Sequence, residues 1–201
     1  MEVGGIKAEK PGESTAGAPI ELKMPPSILS KRILCPAYVP APFDRTACFR
    51  LHALHAMTTI TVIARHLELG YRLMAVEQGG SGYRIDLLFE AISSGRKRLD
   101  EVKSSKTIRE VHRIQAALYA ILHRYTNVDE IAVSNKETDE ILSSEFIEKV
   151  RKQAELTGQF MINDPAGAAN AYTPHKDCCY ICGNTTCPFL DRTNTVTKVW
   201  D

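Results

Sequence analysis

The chain has 201 residues, 44% hydrophobic and 24% charged, with a formal net charge of +1. That length suits one domain with a sizeable core, and the ordinary composition excludes a fibrous or wholly disordered chain. The near-zero charge excludes recognition of nucleic acid by bulk electrostatics and leaves only a local basic patch open.

Residues 1–26, rich in Gly, Pro, Ala, Glu and Lys, predict a flexible tail, and 27–201 a single domain. Within it we expect an N-terminal helical part over 27–69, a core over 70–157 and a cysteine-rich part over 163–201. The opening residues lack the apolar core of a signal peptide, and no apolar run is long enough to span a membrane. A cytoplasmic, reducing setting is therefore expected, where clustered cysteines read as metal ligands before disulfides. A proline-rich stretch, CPAYVPAPF, follows Cys35. A helix is predicted from Asp44, as N-cap, to Leu69, with Gly70 as its stop. YRLMAVEQ and YRIDLLFEA, split by GGSG, predict two strands, and SSGRKR turns the chain into LDEVKSS at 99–105. Over 107–125, Ile108, Val111, Ile114, Leu118, Ile121, Leu122 and Tyr125 recur at helical spacing. EIAVSN predicts a further strand and 137–156 a second amphipathic helix, with loop from Asn163 onward. This order predicts an α/β fold, a mixed sheet flanked by helices.

LDEVKSS carries mixed charge, which a solvated strand edge would explain. A sharper reading comes from folding it against YRIDLLFEA about Ser94-Gly95. That register sets Asp86 opposite Lys103 and Leu88 opposite Glu101. Asp86, Glu101 and Lys103 then share one face, while Asp100 points to the other. Diagonal neighbours on a face have Cβ atoms roughly 7 Å apart. Two carboxylates so placed can converge on one divalent ion, since Mg²⁺–oxygen distances are about 2.1 Å. Lys103 can orient a water or offset charge on a phosphate. A metal there would activate water and polarise a phosphorus–oxygen bond.

Gln115 and Tyr119, four apart, share one face of the next helix. With them the chain resembles the PD-(D/E)xK nucleases of the RecB family. Asp86 stands for the strand aspartate, Glu101-Val102-Lys103 for the (D/E)-x-K triplet and Gln115 to Tyr119 for Q-x-x-x-Y. The resemblance implies a restriction-endonuclease-like fold, with Asp86, Glu101, Lys103, Gln115 and Tyr119 as catalytic residues. It also implies a histidine on an N-terminal helix as a further ligand to Mg²⁺ or Mn²⁺. His52, His55 and His66 are available. His52 fits best, having the small Cys48 four before it and Leu51 directly before, with His55 next. The Val102 carbonyl is a further candidate ligand.

Cys179-x-x-Cys182 followed by Cys187 offers three thiolates, and Cys35 can supply a fourth. Such a quartet holds zinc or an iron–sulfur cluster, and spacing alone does not separate them. A self-contained zinc knuckle with Cys178 or His175 is an alternative, and Cys178 can replace Cys179. The resemblance favours a [4Fe–4S] cluster. One branch of RecB-like nucleases, which includes those of CRISPR adaptation and related archaeal virus proteins, has one cysteine before the core and three after. Cys48 reads as a buried free thiol. A cluster joining residue 35 to residue 187 would clamp the two ends of the fold.

The resemblance covers residues 30–190 and implies metal-dependent cleavage of DNA, single-stranded or with free ends, in exonuclease or endonuclease mode. Spacer acquisition beside CRISPR integration proteins, and viral or cellular DNA processing, are the expected settings. Arg84, Lys106, Arg109 and Arg113 are candidate phosphate contacts, and Tyr83 or Tyr119 a base-stacking platform, against the plainer reading of solvated charge and packing. The alternative function is a catalytically inactive, metal-stapled DNA-binding or scaffold subunit.

Overall fold

The computed structural model describes residues 24–42, 45–77, 79–80, 83–122, 128–179 and 181–189. Residues 1–23 of the expected tail, the Asp44 cap and Tyr125 lie outside them.

Two helices come first, α1 at Pro26–Leu34 and α2 at Arg45–Glu68. Pro26 opens α1, where a missing N–H costs nothing because the first amides of a helix have no partner inside it. The chain leaves α2 at Gly70, whose φ of +82° is left-handed and free of strain only for glycine. Strands β1 (Tyr71–Val76), β2 (Gly79–Gly80), β3 (Tyr83–Arg84), β4 (Leu87–Ala91) and β5 (Lys97–Val102) follow, then α3 (Glu110–Leu122) and β6 (Glu130–Ser134). The chain ends through β7 (Asp139–Ile141), α4 (Ser144–Asn163), α5 (Pro165–Asn170) and α6 (Lys176–Cys179).

Five strands form one sheet in the order β1-β4-β5-β6-β7, and β2 and β3 form a separate ribbon. β5 and β6 are parallel, joined through α3, and the other neighbours are antiparallel. The fold is therefore α/β, a mixed open sheet flanked by helices. On one face Leu99, Ile131 and Val133 pack with Ile114 and Leu118 of α3, Val150 of α4 and Leu29 of α1. On the other, Val62 of α2 packs on Leu87, Phe89 and Val102. Each such fully buried aliphatic or phenyl side chain stabilises the fold by about 2 kcal/mol relative to exposure.

Several expectations need correction. YRIDLLFEA is not one strand, because the chain bends at Asp86 between β3 and β4. There the Asp86 carboxylate accepts the Val102 N–H at 2.7 Å, and its carbonyl accepts the Glu77 N–H at 2.8 Å. The hairpin register is also off by two. Leu87 pairs with Asp100, Leu88 with Leu99, Phe89 with Arg98 and Glu90 with Lys97. The turn occupies 92–95, with Gly95 at φ +70° in its last position rather than at its centre. A slip of two keeps every side chain on its face. Continuing the ladder one step places Asp86 level with Glu101 rather than Lys103. LDEVKSS is no edge: β5 is the middle strand of five. Residues 139–141, expected to be helical, form β7. α4 begins later, capped by Ser143, which accepts the Phe146 N–H at 3.1 Å, and runs on to Asn163. The expected loop beyond Asn163 contains α5 and α6.

Candidate active site

A middle strand with helices on both faces is normally apolar. β5 instead carries Arg98, Asp100 and Glu101, with Lys103 just past its end, so each buried charge needs a partner. Asp100, fully buried on the α2 side, has several. The Arg98 guanidinium donates to it at 2.9 to 3.2 Å and the Ser134 hydroxyl at 2.6 Å. His66 is buried beside this pair, stacked on Phe89 with ring centroids 4.5 Å apart. Its Nε2 lies 3.6 Å from Asp100 and 3.5 Å from Asp139. His66 thus belongs to the back of the sheet and not with His52 and His55. Eleven residues beyond His55, it keeps a similar helical face but lies about 16 Å further along the axis.

Glu101 points to the other side and is 2% exposed. Its Oε1 accepts from the Gln115 amide at 2.7 Å and from the Lys103 ammonium. The Gln115 amide oxygen in turn accepts from Lys103 at 3.2 Å. Lys103 is therefore held between a carboxylate and an amide, in one rotameric position. Asp86 faces the same space. Its Oδ2 takes the Val102 amide, and its Oδ1 lies 3.5 Å from His55 Nε2. Two further carboxylate oxygens are uncommitted to main-chain hydrogen bonds among the described residues: Asp86 Oδ1, beside His55, and Glu101 Oε2. The latter is buried with no hydrogen-bond partner among the described residues.

Asp86, Glu101, Lys103, Gln115 and Tyr119 line one open cleft of about 780 Å³, together with His52 and His55. The expected residues therefore do come together. His55, not His52, makes the contact with Asp86. The Cys48 side chain, which pointed to His52, lies outside the described residues. Tyr119 packs against the core and lines part of the cleft wall, and the Tyr83 side chain lies outside the described residues. Of the basic residues, Arg113 is drawn off by Glu140, donating at 2.6 and 2.9 Å. Arg84 lines the cleft and pairs with Glu77 at 3.3 Å. The Lys106 side chain is exposed while its carbonyl accepts from Asn135.

The electrostatics follow from burial. Desolvation pushes the Glu101 carboxyl up to about 7; the Asp86 charge adds to this and Lys103 opposes it. The His55 imidazole is raised, chiefly by its hydrogen bond to Asp86. Burial, reinforced by Glu101, raises the Tyr119 phenol, which stays protonated.

The cleft residues missed include Lys31 of α1 and His112 of α3. His112 lies three before Gln115, so helical spacing could have found it. Lys31 comes from a distant helix and left no such signal.

The cysteine-rich end meets the residues after α1. Pro40 bridges Cys182, the Gly183 N–H donates to the Val39 carbonyl at 2.8 Å, and Asn184 donates to the Ala37 carbonyl at 3.1 Å. A Cβ at Gly183 would stand 2.7 Å from the Pro40 oxygen, so only glycine permits this approach. Cys35, Cys178, Cys179, Cys182 and Cys187 are free thiols. Cys35 packs beside Cys178 and Cys182, and burial first, then the charges of Cys182 and Cys179, raise its pKa. Cys178 is pushed up to about 12 by burial and donates to the Lys31 carbonyl, with sulfur 3.6 Å away. Cys179 sulfur accepts the His175 N–H at 3.3 Å. His175 lies 3.4 Å from Glu110, pointing toward α3.

Among the described residues, no three His, Cys, Asp or Glu side chains are grouped to hold a metal ion. For the carboxylates this suits Mg²⁺, which is usually held by one or two carboxylates plus water and substrate phosphate rather than by an all-protein cage. The bare Glu101 Oε2 is the observation that fits a cation there. For the cysteines, the thiol chemistry alone suits a metal centre: Cys35 packs with Cys178 and Cys182, and no described trio is arranged to hold an ion. No described helix is long and apolar enough to cross a membrane. Compared with protein-family models, with curated proteins and with solved structures, the chain finds no match.

Proposed function

We propose that this protein is a divalent-metal-dependent deoxyribonuclease of the RecB-like PD-(D/E)xK kind, acting on single strands or DNA ends. One observation carries the reading. The carboxylates of Asp86 and Glu101 open onto one cleft beside a lysine fixed by Glu101 and Gln115, and one buried Glu101 oxygen is left unsatisfied. Asp86 and Glu101 would hold Mg²⁺ or Mn²⁺, with His55 or His52 beside them. When bound, the ion would activate water and stabilise the leaving oxygen. Lys103 donates toward a phosphate oxygen or the attacking water, its direction set by Glu101 and Gln115. Gln115 keeps that lysine and the glutamate in one geometry. Cys35, Cys179, Cys182 and Cys187 would hold a [4Fe–4S] cluster, with zinc as the alternative, clamping the two ends of the domain. CRISPR spacer acquisition, beside integration proteins, and viral or cellular DNA processing are the roles that suit such an enzyme.

The alternative reading is a metal-stapled DNA-binding or scaffold subunit without catalysis. End-labelled single- and double-stranded DNA incubated with Mn²⁺ separates the two. The nuclease reading expects cleavage by the wild type and none by Asp86→Ala. No cleavage by the wild type, with DNA still bound, favours the scaffold.

A further inference from the structure

The cleft continues beyond Lys103. There it is lined by Lys31 and Ser27 of α1, by Ser104 and Ser105 after β5, and by His112 of α3. The Lys31 side chain is half-buried, and its ammonium spends one of three donors on the Ser27 carbonyl at 3.0 Å. His112 Nδ1 accepts the Arg109 N–H at 3.2 Å, which fixes the tautomer and leaves the proton of a neutral ring on Nε2. Among the described residues Lys31 makes no ion pair, its ammonium lying 5.5 Å from the Tyr38 ring centroid, whereas Lys103 is paired with Glu101 and Arg113 with Glu140. Burial and then Lys103 lower the Lys31 pKa. Burial, followed by Lys103, Arg109, Lys31 and Arg113, lowers His112 to about 3. A half-buried ammonium with no carboxylate partner gains from an anion brought into the cleft beside it. The hydroxyls of Ser27 and Ser104 suit such an anion as further donors, while that of Ser105 donates to the Thr107 carbonyl at 2.9 Å.

We propose that Lys31 and His112 form a phosphate subsite, which holds the backbone phosphate next to the one addressed by Lys103. The proposal rests on reading the cleft as a nucleic-acid site, and it adds a direction. The strand would run from the His55–Asp86 end, past Glu101 and Lys103, to the α1 side. Lys31 contributes a charge and His112 a neutral donor, so their losses should differ in kind. Releasing a counterion requires charge, and on single strands each neutralised phosphate adds about 0.7 to the slope of log K against log salt.

The test uses the full chain, with divalent ions chelated, and a labelled oligodeoxythymidylate titrated from about 50 to about 200 mM salt. Lys31→Met should lower the slope by about 0.7. His112→Phe should weaken binding by about threefold to tenfold at an unchanged slope. Lys31→Gln is a second neutral variant in case Met disturbs the fold, Lys31→Arg should keep the wild-type slope, and Lys152→Met on exposed α4 is the control. A slope unaltered by both neutral variants overturns the subsite, as does a wild type with no salt-dependent binding. Cleavage decides separately. A wild type that binds with the predicted slopes but cuts nothing overturns the nuclease reading alone, and one that cuts with unaltered slopes overturns the subsite alone.

Discussion

Glu101 allows a prediction with a worked magnitude. Its carboxyl rises from the ordinary 4.5 to about 7, mostly through burial. The folded state therefore binds this proton more tightly than the unfolded chain. The stability so contributed is full below about pH 4.5 and is lost as pH rises through about 7. The shift of about 2.5 units corresponds to about 3 kcal/mol once both states are ionised, at 1.36 kcal/mol per unit. Glu101→Gln keeps the shape and the Oε1 acceptor for Lys103 and Gln115, and removes the ionisation. Near pH 5 the variant should exceed the wild type by only about 1 kcal/mol, and near pH 8 by about 3 kcal/mol. For a chain of this size the latter is about 6–12 °C in melting temperature. Urea or thermal unfolding at the two pH values is the assay. Excess Mn²⁺ should return about 3 kcal/mol to the wild type at a hundredfold of its dissociation constant, and nothing to the variant. An equal difference at both pH values, or a variant less stable near pH 8, would refute the argument that an uncompensated buried charge sits at this position.

Gln115→Leu removes the amide that joins Glu101 to Lys103; we expect a loss of about 2 kcal/mol near pH 8 by urea unfolding, and reduced cleavage. Cys182→Ala should lower melting temperature and metal content together, measured by calorimetry and elemental analysis, because it removes a proposed thiolate ligand where the chain pairs with Pro40. An unchanged melting temperature would refute the clamp.

Much of the fold was legible for definite reasons. α3 shows through apolar periodicity and α2 through its end signals, Gly70 marking the stop because its φ of +82° is free of strain only for glycine. The grouping of Asp86, Glu101 and Lys103 survived an error of two in register, since faces depend only on parity. The four-residue step puts Gln115 and Tyr119 on one helix face, and the resemblance singled the pair out. What stayed hidden depends on tertiary contact. The bend at Asp86 arises from a side chain capturing the Val102 amide, and β7 is three residues on a sheet edge, too short for any pattern. The choice of His55 over His52 depends on how α2 lies across the cleft. Lys31 reaches the cleft only because α1 packs on α3, a contact no local pattern encodes.

Asp100 and Glu101 are neighbours on one strand, both almost wholly buried, yet their surroundings differ in one respect. Asp100 accepts from Arg98 and Ser134. Arg98 sits two residues away, and period two necessarily puts it on the same face. Arg98 reaches both Asp100 oxygens, whereas Lys103, the equivalent two-residue neighbour of Glu101, and Gln115 both serve Oε1, leaving Oε2 without a hydrogen-bond partner among the described residues. A buried charge with its partners complete is part of the fold, and removing it strands those partners. Asp100→Asn should therefore cost about 3–5 kcal/mol, since Arg98 would be left buried and unbalanced. Neutralising Glu101 should have the opposite sign near pH 8, as worked above. Both variants can be unfolded in urea side by side. Matching signs would mean that burial alone governs this strand, and that the open oxygen of Glu101 carries no information about a cation. Opposite signs would mean that the strand spends stability on one side only, the side that faces the cleft.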